Sequence, residues 1–224
     1  MLLEICAYTI QSCLIAERAG AGRIEFCADP AQGGVTPSHG ALQWAAAHIQ
    51  IPVYAMIRPR GGNFVYDTDE LDVMKRDVLQ CRGLGYKGIA VGIQLPDGRM
   101  DVENMKRIVE WAGPMKVTCH KAFDRTPDAM QALEDMIATG CERVLTSGLA
   151  ATAAEGAHVL QQLVAAAGDR IIIMPGGGVR SGNIAALRAA TKAQEFHSSG
   201  LTGGNNYVPD VDEMKTILKE LHRA

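Results

Sequence analysis

The sequence predicts a single α/β domain, a TIM (β/α)8 barrel spanning residues 1–224. Three observations predict it. Short β-rich runs alternate with helical segments eight times. Each return from strand to strand passes through a helix, and such crossovers make the sheet parallel. The chain's 224 residues hold no linker, low-complexity tract or charge block, which suits one barrel of eight units. A doubly wound sheet is the runner-up.

The elements follow in order. Strand 1 is LLEICAY (2–8), and its helix closes at Gly20, a residue type suited to helix ends. Strand 2, RIEFCA (23–28), precedes a helix that Ser38 can cap. Strand 3, VYAMIRP (53–59), is apolar with no helical period, the pattern of a buried strand. It runs into Arg58, Pro59, Arg60 and two glycines, and Thr68 is read as the cap of the next helix, TDELDVMKRDVLQC. That helix ends toward Gly85, before strand 4, GIAVGIQ (88–94). Strand 5, KVTCHK (116–121), leads to a helix closing at Gly140, and strand 6, RVLTSG (143–148), to one closing at Gly168. Strand 7 is IIIMPGG (171–177) and strand 8 is AQEFHSS (193–199). The last helix follows Asp210.

Alternate strand residues face opposite sides, so the apolar set of each strand should meet the helices. Leu3, Ile5 and Ala7, with Ile24 and Phe26, then face outward. Glu4, Cys6, Glu25 and Cys27 point into the barrel, joined by Met56, Arg58, Lys116, Thr118, His120, Glu195 and His197. Strands 6 and 7 can be read either way. The deeper residues Glu4, Glu25, Lys116 and Glu195 are read as an internal ion-pair layer, since buried charges need partners.

Composition bounds the function. Charged residues at 21% and hydrophobic residues at 47% describe a globular protein with a large core. A net charge of −3 without a basic cluster argues against nucleic acid as the main partner. The opening MLLEICAYT lacks a basic region, and nothing downstream approaches a membrane span. A cytoplasmic protein with six reduced thiols is therefore expected; no CxxC pair suggests a zinc knuckle.

Four stretches carry chemistry. Cys6 and Cys27 end neighbouring strands, and strands about 4.7–4.9 Å apart could bring two thiols to one soft ion. Thiolate pairs select Cu(I) or zinc, with Met56 as a possible thioether donor. They could equally be two small buried apolar side chains. In HKAFD, His120 and Asp124 read as a general base with its orienter or as an acid/base couple, and Lys121 could balance an anion. Arg58 and Arg60 offer rigid forks for phosphate or carboxylate. Gly176, Gly177 and Gly178 after strand 7, with His197 and Ser198 of strand 8 and Ser147 of TSG, sit where many barrels hold phosphate.

LEICAY, RIEFCADPAQGGVTPS, MIRPRGGNFVY, HKAFD, VLTSG and MPGGGV, in this order, closely resemble the CutC family, named for copper homeostasis. The resemblance covers essentially the whole chain. It implies a cytoplasmic TIM barrel, a homo-oligomer (dimer or tetramer), with Cu(I) proposed as the bound metal. The family's proposed copper-ligating cysteines fall on Cys6 and Cys27. At strand 5 the family commonly reads TFHRAFD and this chain TCHKAFD; lysine at position 121 lacks arginine's bidentate fork. Two readings stand: a copper homeostasis protein that binds Cu(I) through paired thiols, or an enzyme acting on a small phosphate- or carboxylate-bearing metabolite, with copper incidental.

Overall fold

Eight parallel strands form the sheet, in the order β7-β6-β5-β4-β3-β2-β1-β8. The computed structural model describes residues 1–203 and 207–223. The strands are β1 Leu2–Ala7, β2 Arg23–Phe26, β3 Val53–Met56, β4 Gly88–Val91, β5 Lys116–Cys119, β6 Arg143–Thr146, β7 Ile172–Pro175 and β8 Glu195–Ser198. The helices are α1 Ile10–Ala19, α2 His39–His48, α3 Thr68–Gly83, α4 Val102–Ala112, α5 Ala129–Thr139, α6 Ala157–Ala167, α7 Ile184–Thr191 and α8 Val211–His222. Ladders join seven neighbouring pairs, and β7 lies against β8 to bring the sheet round to a nearly closed barrel. No helix among the described residues is long and apolar enough to cross a membrane.

The strands are shorter than the β-rich runs, because each run's last residues already belong to a loop. Past Met56, Ile57 N still donates to Ala90 O (2.8 Å), but Arg58 N turns away to Thr36 Oγ1 (2.9 Å). Ser38 caps α2 and Asp210 caps α8 as expected. The cap of α3 is Asp67 rather than Thr68. Asp67 accepts from Glu70 N (2.8 Å) while Glu70 accepts from Asp67 N (3.1 Å), a reciprocal capping box that places Thr68 inside the first turn. Gly20, Gly140 and Gly168 end α1, α5 and α6, whereas Gly85 stands one residue beyond the end of α3 at Leu84.

The alternation resolves as two separate apolar clusters. Leu3, Ile5, Ala7, Ile24, Phe26, Val53 and Ala55 pack into the large core between sheet and helices, together with Cys13, Cys81 and Cys119. Cys6, Cys27, Met56 and Ala90 form a small cluster of their own within the barrel. Burying the outward set is the main stabilising term, about 25 cal/mol for each Å² of apolar surface removed from water.

Inside the barrel, toward the strand starts, lies the charged layer. Arg23 Nε pairs with Glu4, Arg23 Nη2 with Glu195 (2.6 Å), and Arg143 Nε with Glu195 (2.6 Å). Arg143 also donates to Thr118 Oγ1 (3.2 Å). The Tyr54 ring takes both guanidinium groups, Arg23 at 4.9 Å and Arg143 at 5.4 Å from its centroid. The bases of this layer are thus Arg23 and Arg143, and not Lys116. Lys116 is 59% exposed at the first position of β5 and pairs with Glu142 (3.2 Å). A long flexible ammonium at the barrel's lower opening gains more from hydration than from entering the layer.

Candidate functional site

Above the charged layer, the strand ends open into a cavity of about 210 Å³. Its lining includes Cys6, Tyr8, Glu25, Met56, Arg58, Phe64, His120, Lys121, Leu145, Arg180 and His197, with Gly177, Gly178 and Ser198 at the rim.

The thiol pair is set by strand register. Cys6 pairs with Glu25 across β1 and β2, and Cys27 N donates to Ala7 O (2.9 Å) just past the end of β2. The two sulfurs lie 3.9 Å apart, and Cys27 Sγ is 3.7 Å from Glu25 Oε2. The candidate donor atoms of Cys6, Glu25 and Cys27 all lie within 4.8 Å of one another. Gly34 passes over the pair with φ +92°, and a Cβ there would stand 3.3 Å from Cys27 Sγ. The hydrogen bond shared by the two sulfurs holds the Cys6 thiol below its ordinary value against the opposing effect of burial, and nearby His197 assists. The same bond and burial push Cys27 well up. The two thiols are therefore unequal in acidity, and a close pair of sulfurs suits a soft ion.

His197 lies beside this pair. Its Nε2 is 3.1 Å from Glu25 Oε2 and 3.9 Å from Glu4 Oε1. Burial alone would lower its pKa, but the Glu25 carboxylate and Cys6 raise it well above the ordinary value. Burial likewise opposes ionisation of Glu25, and the His197 charge outweighs it to leave that carboxyl lowered.

His120 and Asp124 are not a couple. Residues Lys121–Arg125 form a 3-10 turn that carries Asp124 to the end of β6. There it accepts from Thr146 Oγ1, Ser147 N (2.9 Å), Ser147 Oγ (2.9 Å) and Leu149 N (3.2 Å), so it fastens the β6 loop. Ser147 is held the same way, and its Oγ stands 3.2 Å from Lys121 Nζ. His120 Nδ1 accepts from Ala122 N (3.1 Å), which leaves the ring proton on Nε2. That Nε2 is buried without a partner among the described residues. Burial, with Arg58 adding, holds His120 down to about 4, so the ring is neutral. Gly92 makes room for it: a Cβ there would sit 2.6 Å from the imidazole.

The two arginines of the strand 3 loop part company. Arg58 is buried and donates to the carbonyls of Gln32 (2.7 Å), Gly34 (2.8 Å) and Gly62 (3.1 Å), its guanidinium 4.9 Å from the Phe64 centroid. It braces two loops while its flank lines the cavity. Arg60 binds Glu70 (3.1 Å to Oε2) and Val65 O (2.8 Å), outside the cavity lining. Gly176 is also outside the lining, its amide donating to Thr146 O (2.9 Å). Ser198 Oγ is used on Val179 O (2.7 Å).

Among the cavity residues that escaped the sequence reading are two polar side chains at the mouth, Tyr8 and Arg180. Tyr8 forms part of the wall next to Cys6. Arg180 donates to Val179 O (2.7 Å), Ser198 Oγ (3.2 Å) and Ser199 Oγ (3.1 Å). An arginine directly after the strand 7 glycines was the available signal for it.

A profile of the CutC family matches residues 1–202. The chain belongs to the CutC family. A CutC family protein of Chromobacterium violaceum is 50% identical over 198 residues, 88% of this chain and 80% of the relative. A mouse protein named a copper homeostasis protein CutC homologue is 44% identical over 198 residues, 88% of this chain and 73% of its own. The crystal structure of a CutC protein from Streptococcus agalactiae superposes with a TM-score of 0.84 at 32% identity, covering 89% of this chain and 98% of the other. CutC membership thus agrees with the barrel, and the name ties this family to copper homeostasis.

Proposed function

We propose that this CutC protein binds one Cu(I) ion per chain through Cys6 and Cys27. The reading rests on one observation: two buried sulfurs 3.9 Å apart beside the Glu25 carboxylate. Soft monovalent copper prefers thiolate and thioether donors, and Met56 belongs to the same small cluster. Binding would release the thiol protons to solvent, so uptake should weaken as pH falls. We also assign the chain to the cytoplasm, where reduced thiols persist, and to a homo-oligomer.

The test is Cu(I) titration of the metal-free, reduced chain against a competing chelator. Wild type should take up one ion. Cys6→Ser and Cys27→Ser should each remove most of the affinity, because one thiolate is a poor site. Cys13→Ser, in the outer core, should leave it intact. Equal losses in all three would overturn the assignment.

A second reading comes from the cavity's charge. Arg58, Lys121, Arg180 and His197 line it against the single carboxylate of Glu25. Such a lining suits a small phosphate- or carboxylate-bearing metabolite, bound as ligand or substrate.

A further inference from the structure

Three side chains of the cavity lining carry a buried polar atom that nothing in the fold satisfies, Arg58 Nε, His120 Nε2 and Glu25 Oε1, and the last two bear on a neutral ligand group. His120 Nε2 and Glu25 Oε1 have no hydrogen-bond partner among the described residues, although both side chains line the cavity and are 4% and 3% exposed. Leaving such groups unmade is costly, and buried polar atoms are almost always paired. They are also of opposite kind. The Ala122 amide occupies His120 Nδ1, so Nε2 carries a hydrogen to donate. His197 and Cys27 occupy Glu25 Oε2, so Oε1 is an open acceptor. A partner for both must accept at one point and donate at another. Hydroxyl groups do this; a hydrocarbon or a bare oxyanion does not.

The rest of the lining supplies the other half of the ligand. Lys121 Nζ leans over the glycine loop, where a Cβ on Gly177 would meet it at 2.9 Å. Asp124 balances it only from behind, at 3.3 Å. Arg180 has hydroxyls and a carbonyl as partners, and no carboxylate among the described residues. Tyr8, Met56, Phe64 and Leu145 provide apolar wall between the two ends. The 210 Å³ cavity has room for a small organic ligand.

We propose that the barrel mouth binds a small hydroxylated organic anion, its charged end on Lys121 and Arg180 and its hydroxyls on His120 Nε2–H and Glu25 Oε1. This rests on the second reading above and names the ligand class for it. It is independent of copper, since the ligand atoms are oxygens and the thiols take no part.

The test is calorimetric titration of the metal-free, reduced protein with inorganic phosphate, propyl phosphate and glycerol 3-phosphate. The last two match in length and charge and differ in hydroxyls. Glycerol 3-phosphate should bind wild type at least about tenfold tighter than propyl phosphate, the value of one satisfied buried polar group. Lys121→Met should weaken all three. His120→Phe should bring glycerol 3-phosphate down to the propyl phosphate level and leave propyl phosphate unchanged, and Glu25→Gln should narrow the same gap. Equal binding of the two organic phosphates to wild type would overturn the hydroxyl assignment while the anion reading survives, and this comparison needs no variant to fold. Failure of all three phosphates to bind, or indifference to Lys121→Met, would sink the anion reading and this inference with it.

Discussion

Glu25 and His197 meet inside the barrel with Oε2 and Nε2 3.1 Å apart, on strands that flank β1 from opposite sides. The contact fixes the imidazole charge next to the thiols. A histidine whose folded pKa is raised adds stability in full below its unfolded value near 6.5, and loses it as pH rises through the folded value. Glu25→Gln should therefore bring the His197 midpoint down in an NMR titration. An unmoved midpoint would mean that the carboxylate is not what holds the charge.

His120 has the opposite sign. Its folded value of about 4 lies below the unfolded value near 6.5, so the unfolded chain binds the extra proton between the two. Stability should be complete above about pH 6.5 and decline by up to about 3 kcal/mol as pH falls to 4. His120→Gln should flatten that part of the profile in urea unfolding. A variant with the wild-type slope would show that another group titrates there.

The charged layer should be brittle toward loss of one member. Arg23→Met leaves Glu4 without its close partner and Glu195 with only Arg143. Removing one partner of a buried pair is expected to cost roughly 3–5 kcal/mol. Lys116→Met, at an exposed pair, should stay within about 1 kcal/mol. Denaturant midpoints with matched slopes compare the two directly, and similar losses would contradict the layer as described.

Arg58 and Arg60 should differ in the same experiment. Arg58→Ala removes a buried cation from three carbonyls, a loss of about 3 kcal/mol or more. Arg60→Ala, at a partly exposed ion pair with Glu70, should change stability by no more than about 1 kcal/mol. The reverse order would make Arg60 the structural residue.

Much of the fold was legible because the strands of the barrel alternate cleanly. In β1 and β2 every second residue is apolar, and the parity of Glu4, Cys6, Glu25 and Cys27 follows from that alone. RVLTSG and IIIMPGG offer no such contrast, so Arg143 entering the interior could not be read from β6. Arg23 shares the parity of Glu25, but it opens its strand, where an arginine ordinarily reaches solvent. In the site, the thiol pair was readable from strand adjacency. The fate of Arg58 was not: its partners are main-chain carbonyls, two of them on the loop between β2 and α2, and such acceptors leave no side-chain signature. Asp124 misled for a related reason. Three residues separate it from His120, yet a 3-10 turn carries it to the neighbouring strand end.

The layer of Arg23, Glu4, Glu195 and Arg143 has one more effect. It forms a charged floor to the cavity, so an ion or molecule that enters from the strand ends meets paired charges rather than an open barrel.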